Sequence, residues 1–352
     1  MLGDMKAAAD RPLSRRQLLK LFGIAGGAFV AARYMVRATE PAAPPAEAPP
    51  PRPPAPSLAG AQPGYYRFRV GDLEAIGFSD GGMAPPVDQS PFGVDEPKGA
   101  VASALEAALL PKDRVQIPFN VLLVRMGPEL VLIDAGCGAQ LGAAAGHLRS
   151  GLEAAGIKPE QITGILLTHA HRDHFGGLLD AEKRPVFSQA KLFIAKKEHD
   201  FWMASSPDLS GMAVPPEATK DFVVAAQSAL GAYKDRLQLV AGGDKILDGI
   251  ELLDTPGHTP GHLALIVGSG AERLLHLGDV AAHHAISFAH PGWRFAFDAD
   301  PALAVETRRK LFDRAAAERL RLFGSHLPFP ALGRVRKAGP AYEFVPEPWA
   351  AA

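Results

Sequence analysis

The chain has a single cysteine, Cys137, among 352 residues. No disulfide can form within it and a cysteine-built zinc site is excluded, so any metal must be held by histidine and carboxylate. Charge of one sign is also missing: 37 lysines and arginines stand against 38 aspartates and glutamates, a formal net charge of −1. That balance provides no electrostatic footprint for nucleic acid or an anionic membrane surface, and it suits a weakly charged small substrate. The apolar stretch Leu21–Ala32 is shorter than the ~20 residues a membrane-spanning helix needs. No repeat of fixed period runs through the chain. What is present is 47% hydrophobic residues, enough for a large core in one α/β domain with appendages or in two average domains.

The first sixty residues read as an address and a tether. Ser14-Arg15-Arg16-Gln17-Leu18-Leu19-Lys20 precedes the apolar stretch, which is the plan of a signal peptide, and the paired arginines match the twin-arginine export pattern. Residues 1–38 are therefore expected to be a signal that engages the twin-arginine translocase and delivers a folded protein to the periplasm. Cleavage is expected after Ala38, with an uncleaved anchor as the alternative. Residues 39–63 are rich in proline and alanine and are expected to form an extended, disordered linker. The folded domain then spans residues 64–352.

Within that domain, apolar runs bounded by turn residues predict strands. Tyr66–Val70 and Leu73–Phe78 flank Gly71-Asp72, and Asn120–Arg125 and Leu130–Asp134 flank Gly127-Pro128. Further strands are expected at Gly164–Thr168, Lys191–Ala195, Lys245–Leu253, Leu263–Val267 and Arg273–Leu277. Helices are expected at about 140–155, 217–234 and 301–318, and residues 201–216 read as a loop and a candidate lid. Two β-rich halves, each with a helix, suggest two sheets between helices.

The strongest motif is Thr168-His169-Ala170-His171-Arg172-Asp173-His174. The preceding strand ends at Thr168, so four side chains of ligand type lie within six residues of one turn and can reach a common point. Downstream, Thr255-Pro256-Gly257-His258, Leu277-Gly278-Asp279 and Gly324-Ser325-His326 each place one such side chain just past an apolar strand. Singly these are weak, since a strand-end Asp or His is commonly a turn or cap residue. Together they would converge on one edge of the sandwich.

These motifs, in this order, resemble the metallo-β-lactamase superfamily from roughly Gly64 to the C-terminus. The resemblance implies an αββα sandwich, two mixed β-sheets flanked by helices. It implies two Zn2+ per chain, one bound by His169, His171 and His258, the other by Asp173, His174 and His326, with Asp279 bridging. Asp134 matches the family's D-x-G turn and would support the ligands, while His262 would pack behind the T-P-G-H turn. Manganese, iron or cobalt would be accepted by the same donors. The activity implied is hydrolysis of a neutral ester by a hydroxide held between the metals, with Asp173 orienting it.

Asp279 argues against a true β-lactamase, which usually carries cysteine or a smaller residue there. Ala282 stands where quorum-quenching lactonases commonly place tyrosine. Pro63–Arg67, Ser79-Asp80-Gly81, Asp200-Phe201-Trp202 and Ser325–Pro330 look most like the methyl parathion hydrolase group. That likeness implies an aryl ester, lactone or phosphotriester as substrate, and a homodimer. Trp202, Phe119, Phe288 and Trp293 are the candidates to line the substrate pocket, and His283 and His284 could face it. His147, His199, His276 and His290 carry no motif. The alternatives are a quorum-quenching-type lactonase, a glyoxalase-II-like thioesterase, and a metal-free binding protein.

The export reading has a direct test. Residues 1–40 fused to a folded reporter should carry it to the periplasm, and replacing both Arg15 and Arg16 by lysine should stop it; export that persists would refute the assignment.

Overall fold

In the computed structural model, which describes residues 64–348 except 270 and 271, the apolar runs form strands that end at turns or loops. The expected signal and linker lie outside the described residues. The strands are β1 (Tyr65–Val70), β2 (Leu73–Met83), β3 (Ile117–Met126), β4 (Glu129–Ile133), β5 (Gly164–Leu166), β6 (Lys191–Ala195) and β7 (Leu237–Val240). They form a seven-stranded sheet in chain order, antiparallel from β1 to β4 and parallel from β4 to β7. The second sheet has six strands in the order β13-β12-β11-β10-β9-β8. Its members are β8 (Ile250–Asp254), β9 (Leu263–Ser269), β10 (Glu272–His276), β11 (Arg321–Phe323), β12 (Leu332–Ala338) and β13 (Ala341–Pro346). Only β10 and β11 run parallel as neighbours there. Two mixed sheets flanked by helices is the expected sandwich.

Side-chain alternation explains the layering. In β3 and β4, Leu122, Val124, Val131 and Ile133 point into the core shared with Leu265, Leu275 and Phe323 of the other sheet. Their neighbours Val121, Leu123, Leu130 and Leu132 point the other way, into a second core. There they meet helices α2 (Leu148–Ala154) and α5 (Pro216–Ala232) through Leu148, Leu152, Ala229 and Leu230. A strand covered on both faces must be apolar throughout, which is why these runs lack the polar alternation of a half-exposed strand. Helix α7 (Pro301–Ala317) covers the second sheet, with Phe312 stacked on Phe288 at 4.4 Å. Four further helices are α1 (Ala100–Ala107), α3 (Arg172–Phe175), α4 (Lys196–Met203) and α6 (Ile286–Ala289).

Strand direction places the site. β4 and β5 are parallel, and β8, β10 and β11 share one direction because β9 is antiparallel to both of its neighbours. The residues just beyond the C-terminal ends of these five strands therefore gather at one edge, where ligands settle in sheets of this kind.

Two expected elements differ. The helix at 140–155 starts only at Leu148, because residues 137–147 form a loop in which Gly142 and Gly146 have φ of +82°. A Cβ on Gly146 would lie 1.8 Å from the Gly138 carbonyl oxygen, so the close approach of the two loop strands needs glycine there. The strand at 245–253 begins at Ile250, after a turn at Asp248-Gly249. Helix α1 and the β12–β13 hairpin carry no expectation in the sequence reading.

Asp80, fully buried at the end of β2, holds the 137–147 loop. Its carboxylate accepts hydrogen bonds from the backbone N–H of Cys137 and of Leu148, both at 2.6 Å. Burial raises the Asp80 pKa, and the two backbone donors pull against that rise. Replacing Asp80 by Ala strands two buried N–H groups and should cost about 2–4 kcal/mol. Calorimetry should record a Tm lower by several degrees; an unchanged Tm would mean the loop is held by something else.

Candidate metal centre

The donor-bearing turns are built outward from the strand ends. Asp134 follows β4 with φ +66°, and its Oδ1 accepts the Thr168 N–H at 2.8 Å, which fixes the start of the His169 turn. Helix α3 begins directly after His171, so Asp173 and His174 sit on its first turn. Gly278 has φ +51°, and a Cβ there would lie 2.5 Å from His262 Nε2, so only glycine lets the Asp279 turn pass His262. His262 Nε2 accepts the Asp279 N–H at 2.9 Å, which leaves its own proton on Nδ1, 2.8 Å from Thr255 Oγ1. Burial pushes His262 down to about 3, so this neutral arrangement persists across the ordinary pH range.

Seven of these side chains gather in two groups: His169, His171 and His258, and Asp173, His174, Asp279 and His326. In the first, His171 Nδ1 lies 3.0 Å from His169 Nε2 and 2.9 Å from His258 Nε2. The partners of the opposite ring atoms decide where the protons are. His258 Nδ1 faces the acceptor-only Asp298 carboxylate at 2.9 Å. His169 Nδ1 faces Thr168 Oγ1 at 3.0 Å, a hydroxyl already turned toward Asp134. Both Nε2 atoms therefore present lone pairs to His171.

The second group has the same character. His174 Nδ1 donates to Asp134 Oδ2 at 2.8 Å and His326 Nδ1 to the Pro118 carbonyl at 2.9 Å, so both Nε2 atoms present lone pairs. They face carboxylates: His174 Nε2 is 3.2 Å from Asp279 Oδ1 and His326 Nε2 is 3.0 Å from Asp279 Oδ2. Asp279 Oδ2 is also 3.4 Å from His258 Nε2, which places this carboxylate between the groups. His174 Nε2 and Asp279 Oδ1 are enclosed and have no hydrogen-bond partner. Acceptors facing acceptors inside a protein need positive charge between them, whether a proton or a metal ion, and the residues fit a divalent metal at each group. Nitrogen and carboxylate oxygen without sulfur suit zinc and its neighbours.

The electrostatics agree. Burial, then the neighbouring imidazoles, hold His169 and His171 well below the ordinary histidine range. Burial also opposes charge on His174, but Asp279, Asp173 and Asp134 outweigh it and hold its pKa well above that range, so positive charge is favoured at its Nε2 whether a proton or a metal ion brings it. Burial would raise Asp173, yet His174 and His326 bring it to about 2. Asp173 retains 18% side-chain exposure against 3% or less for its partners in the group, so it is the donor that faces the adjoining cavity.

That cavity opens on Asp173, Asp279, His171 and His326. One wall is Met83, Ile117 and Phe119; the other is Phe222, Phe295 and Phe297. Of the four aromatic residues expected to line it, Phe119 does so. Trp202 is fully buried behind the histidines, with its ring 5.7 Å from that of His171 and its Nε1 donating to Glu198 at 2.7 Å. Phe288 is spent on the core against Phe312, and Trp293 stacks on His290 at 4.0 Å. His283 and His284 stack on each other at 4.7 Å and are not among the lining residues. These positions correct the pocket expected from sequence: core packing took the larger rings.

Three supporting residues had no signal in the sequence. Glu198, buried on α4, accepts from Ala170 N–H at 2.9 Å and Gly261 N–H at 3.0 Å, and from Thr259 Oγ1 at 2.6 Å. It thus ties the His169–His171 turn to the His258 turn, yet in the run Lys196-Lys197-Glu198-His199-Asp200 it reads as part of a solvated helix face. Asp298 orients His258, and the buried Arg308 donates to the Val280 carbonyl at 2.8 Å while lying 3.7 Å from Asp298. Both are separated from their partners by tens of residues, and only tertiary folding joins them.

Residues 117–326, more than half of the chain, match the Metallo-beta-lactamase superfamily. The solved structure of AidC, a dizinc quorum-quenching lactonase in complex with a product, N-hexanoyl-L-homoserine, has a TM-score of 0.78 and 31% identity, covering 82% of this chain and 99% of that one. The hydrolase AbOPH of the beta lactamase superfamily has a TM-score of 0.73, with 31% identity and the same coverage of 82% and 99%. A probable metallo-hydrolase of Mycobacterium bovis is 27% identical over 262 residues, 67% of this chain and 77% of the relative.

The Glu198 tie predicts a measurable effect on metal retention. In Glu198→Gln one carboxylate oxygen becomes a donor facing donors, and zinc affinity in chelator competition should fall about 10–100-fold. Wild-type affinity in the variant would show that the turns hold their geometry without it.

Proposed function

The chain belongs to the metallo-β-lactamase superfamily and is a metal-dependent hydrolase, and from that premise we propose that it is a dizinc lactonase opening neutral lactones with an apolar substituent. The observation that carries the proposal is the cavity: carboxylates and imidazoles at its floor, aromatic and aliphatic side chains on both walls, and Arg172 as the sole cation among its lining residues. Such a cavity favours an uncharged ester with an apolar arm over glutathione thioesters, whose carboxylates would need several cations. The likeness to AidC supports the lactone within that class.

In this reading His169, His171 and His258 would hold one zinc and Asp173, His174 and His326 the other, with Asp279 within reach of both groups. Bound there, the pair supplies Lewis acidity and brings the pKa of water down to about 7. The protein does the rest by position. Asp173, ionised at neutral pH and open to the cavity, accepts a hydrogen bond from the attacking water and aims it at the ring carbonyl carbon. Water adds there, the ring carbon–oxygen bond breaks, and the ring oxygen leaves with a proton as a hydroxyl. The apolar walls keep other water out, which strengthens each polar contact at the floor.

A second reading, an aryl ester or phosphotriester as in the methyl parathion hydrolase group, is favoured by Ala282, a small buried residue where quorum-quenching lactonases commonly place tyrosine. Export to the periplasm and a homodimer belong to the same proposal and rest on the sequence alone.

A rate screen of the zinc-loaded enzyme decides between the readings. Substrates are an acyl-homoserine lactone, an aliphatic γ-lactone, 4-nitrophenyl acetate, methyl paraoxon and S-lactoylglutathione. The highest kcat/KM should fall on a lactone and vanish with chelator; a preference for the phosphotriester or aryl ester would replace the first reading by the second.

A further inference from the structure

We propose that Arg172 reads the substituent of the substrate: its guanidinium, held over Phe222, donates to a carbonyl oxygen on the lactone's side arm. The cavity then selects lactones bearing an acyl-amide arm over lactones bearing a plain alkyl arm. This rests on the lactonase reading above and deepens it.

Arg172 occupies an unusual position. It is the x residue between His171 and Asp173, so its backbone is locked between the two donor groups and cannot drift from the reaction floor. Its guanidinium carbon lies 4.7 Å from the centre of the Phe222 ring on α5. Among the described residues it has no carboxylate or carbonyl partner, and its Nε is enclosed without an acceptor. A guanidinium lying over an aromatic face keeps its N–H edges free, because those donors lie in its own plane. The result is a charged donor group beside apolar cavity walls, with no acceptor among the described residues.

Structural roles do not account for this. A bracing arginine would have acceptors, as Arg308 does with the carbonyls of Val280, Pro291 and Trp293, and a freely solvated one would not have its Nε enclosed. The missing partner is an acceptor that arrives with the ligand. An amide carbonyl suits it well. Between apolar walls such an oxygen would otherwise lose its water without replacement, so a charged donor there discriminates strongly against arms lacking it. Phe222 and Phe297, whose rings lie 6.3 Å apart, continue the wall past Arg172 and provide the apolar track for the rest of the arm.

The test compares N-hexanoyl-L-homoserine lactone with an alkyl γ-lactone of matched length, and adds a γ-lactone whose arm ends in a carboxylate. Wild-type enzyme should favour the acyl-amide lactone, and in Arg172→Met that kcat/KM preference should fall about tenfold or more, chiefly through KM. Calorimetric binding of the ring-opened N-hexanoyl-L-homoserine should weaken by a similar factor. Phe222→Leu, which leaves the arginine but removes its platform, should lower the preference in the same direction, and carries the test where Arg172→Met fails to fold or to retain zinc. A preference unchanged in both variants overturns the role of Arg172 while leaving the lactonase reading intact. Better turnover of the carboxylate-bearing lactone overturns the neutral acceptor. Hydrolysis of none of the three lactones by wild-type enzyme overturns both proposals.

Discussion

Seven side chains that present lone pairs or negative charge face one another inside this protein, and holding them there is the constraint that the rest of the structure serves. Without positive charge between them the arrangement is repulsive: His169 and His258 point lone pairs at His171, while His174 and His326 face Asp279. Burial deepens the problem, since neither water nor a flexible neighbour can relieve it. Two divalent cations would relieve the repulsion at both groups, and the fold keeps the donors assembled for them.

It does so with buried hydrogen bonds whose partners cannot be exchanged singly. Asp134 fixes both Thr168 and His174, Glu198 joins two histidine turns, and Asp298 fixes the ring of His258. Asn120 on β3 donates to the carbonyls of Ser325 at 3.0 Å and Leu327 at 2.7 Å, which fastens the His326 turn to the opposite sheet. Removing one member of such a network leaves the other buried and unpaired, a larger loss than the bond itself contributes. The Asn120 tie runs between the two sheets, the Glu198 tie between α4 and the turns, and the others between neighbouring turns, so packing of the sandwich and geometry of the site are one problem. The same rigidity explains why the metal-facing nitrogens are set: each imidazole spends its other nitrogen on a fixed partner.

The cavity adds contrast. Its floor is polar and carries the charge, while its walls are aromatic and aliphatic and carry none except at Arg172. A low-dielectric wall beside a charged floor strengthens the field on a substrate carbonyl and rejects substrates whose charge would go unpaired. Aromatic lining residues come from four separated segments, the start of β3 for Phe119, α3 for Phe175, α5 for Phe222 and the 295–297 loop, so the shape of the cavity is a property of the assembled layers.

The sequence by itself determined the site's chemistry. One cysteine forced the ligands to be histidine and carboxylate, and the turns after Thr168, Pro256, Leu277 and Gly324 placed all seven at strand ends. It also determined most strands, because β3 and β4, covered on both faces, write their burial as continuous apolar runs between Gly-bearing turns. Local patterns of that kind survive folding because they are set by neighbours in the chain. The late start of α2 was hidden, since a helical period in 140–155 is overruled by a loop that Asp80 pins from a distant strand. Glu198, Asp298 and Arg308 were hidden for the same reason: their partners lie far off along the chain. The fates of the large aromatics were decided in three dimensions as well. Trp202 and Phe288 went to cores and Phe119 to the cavity, because burial of a ring depends on which layer closes over it, and no local pattern records that.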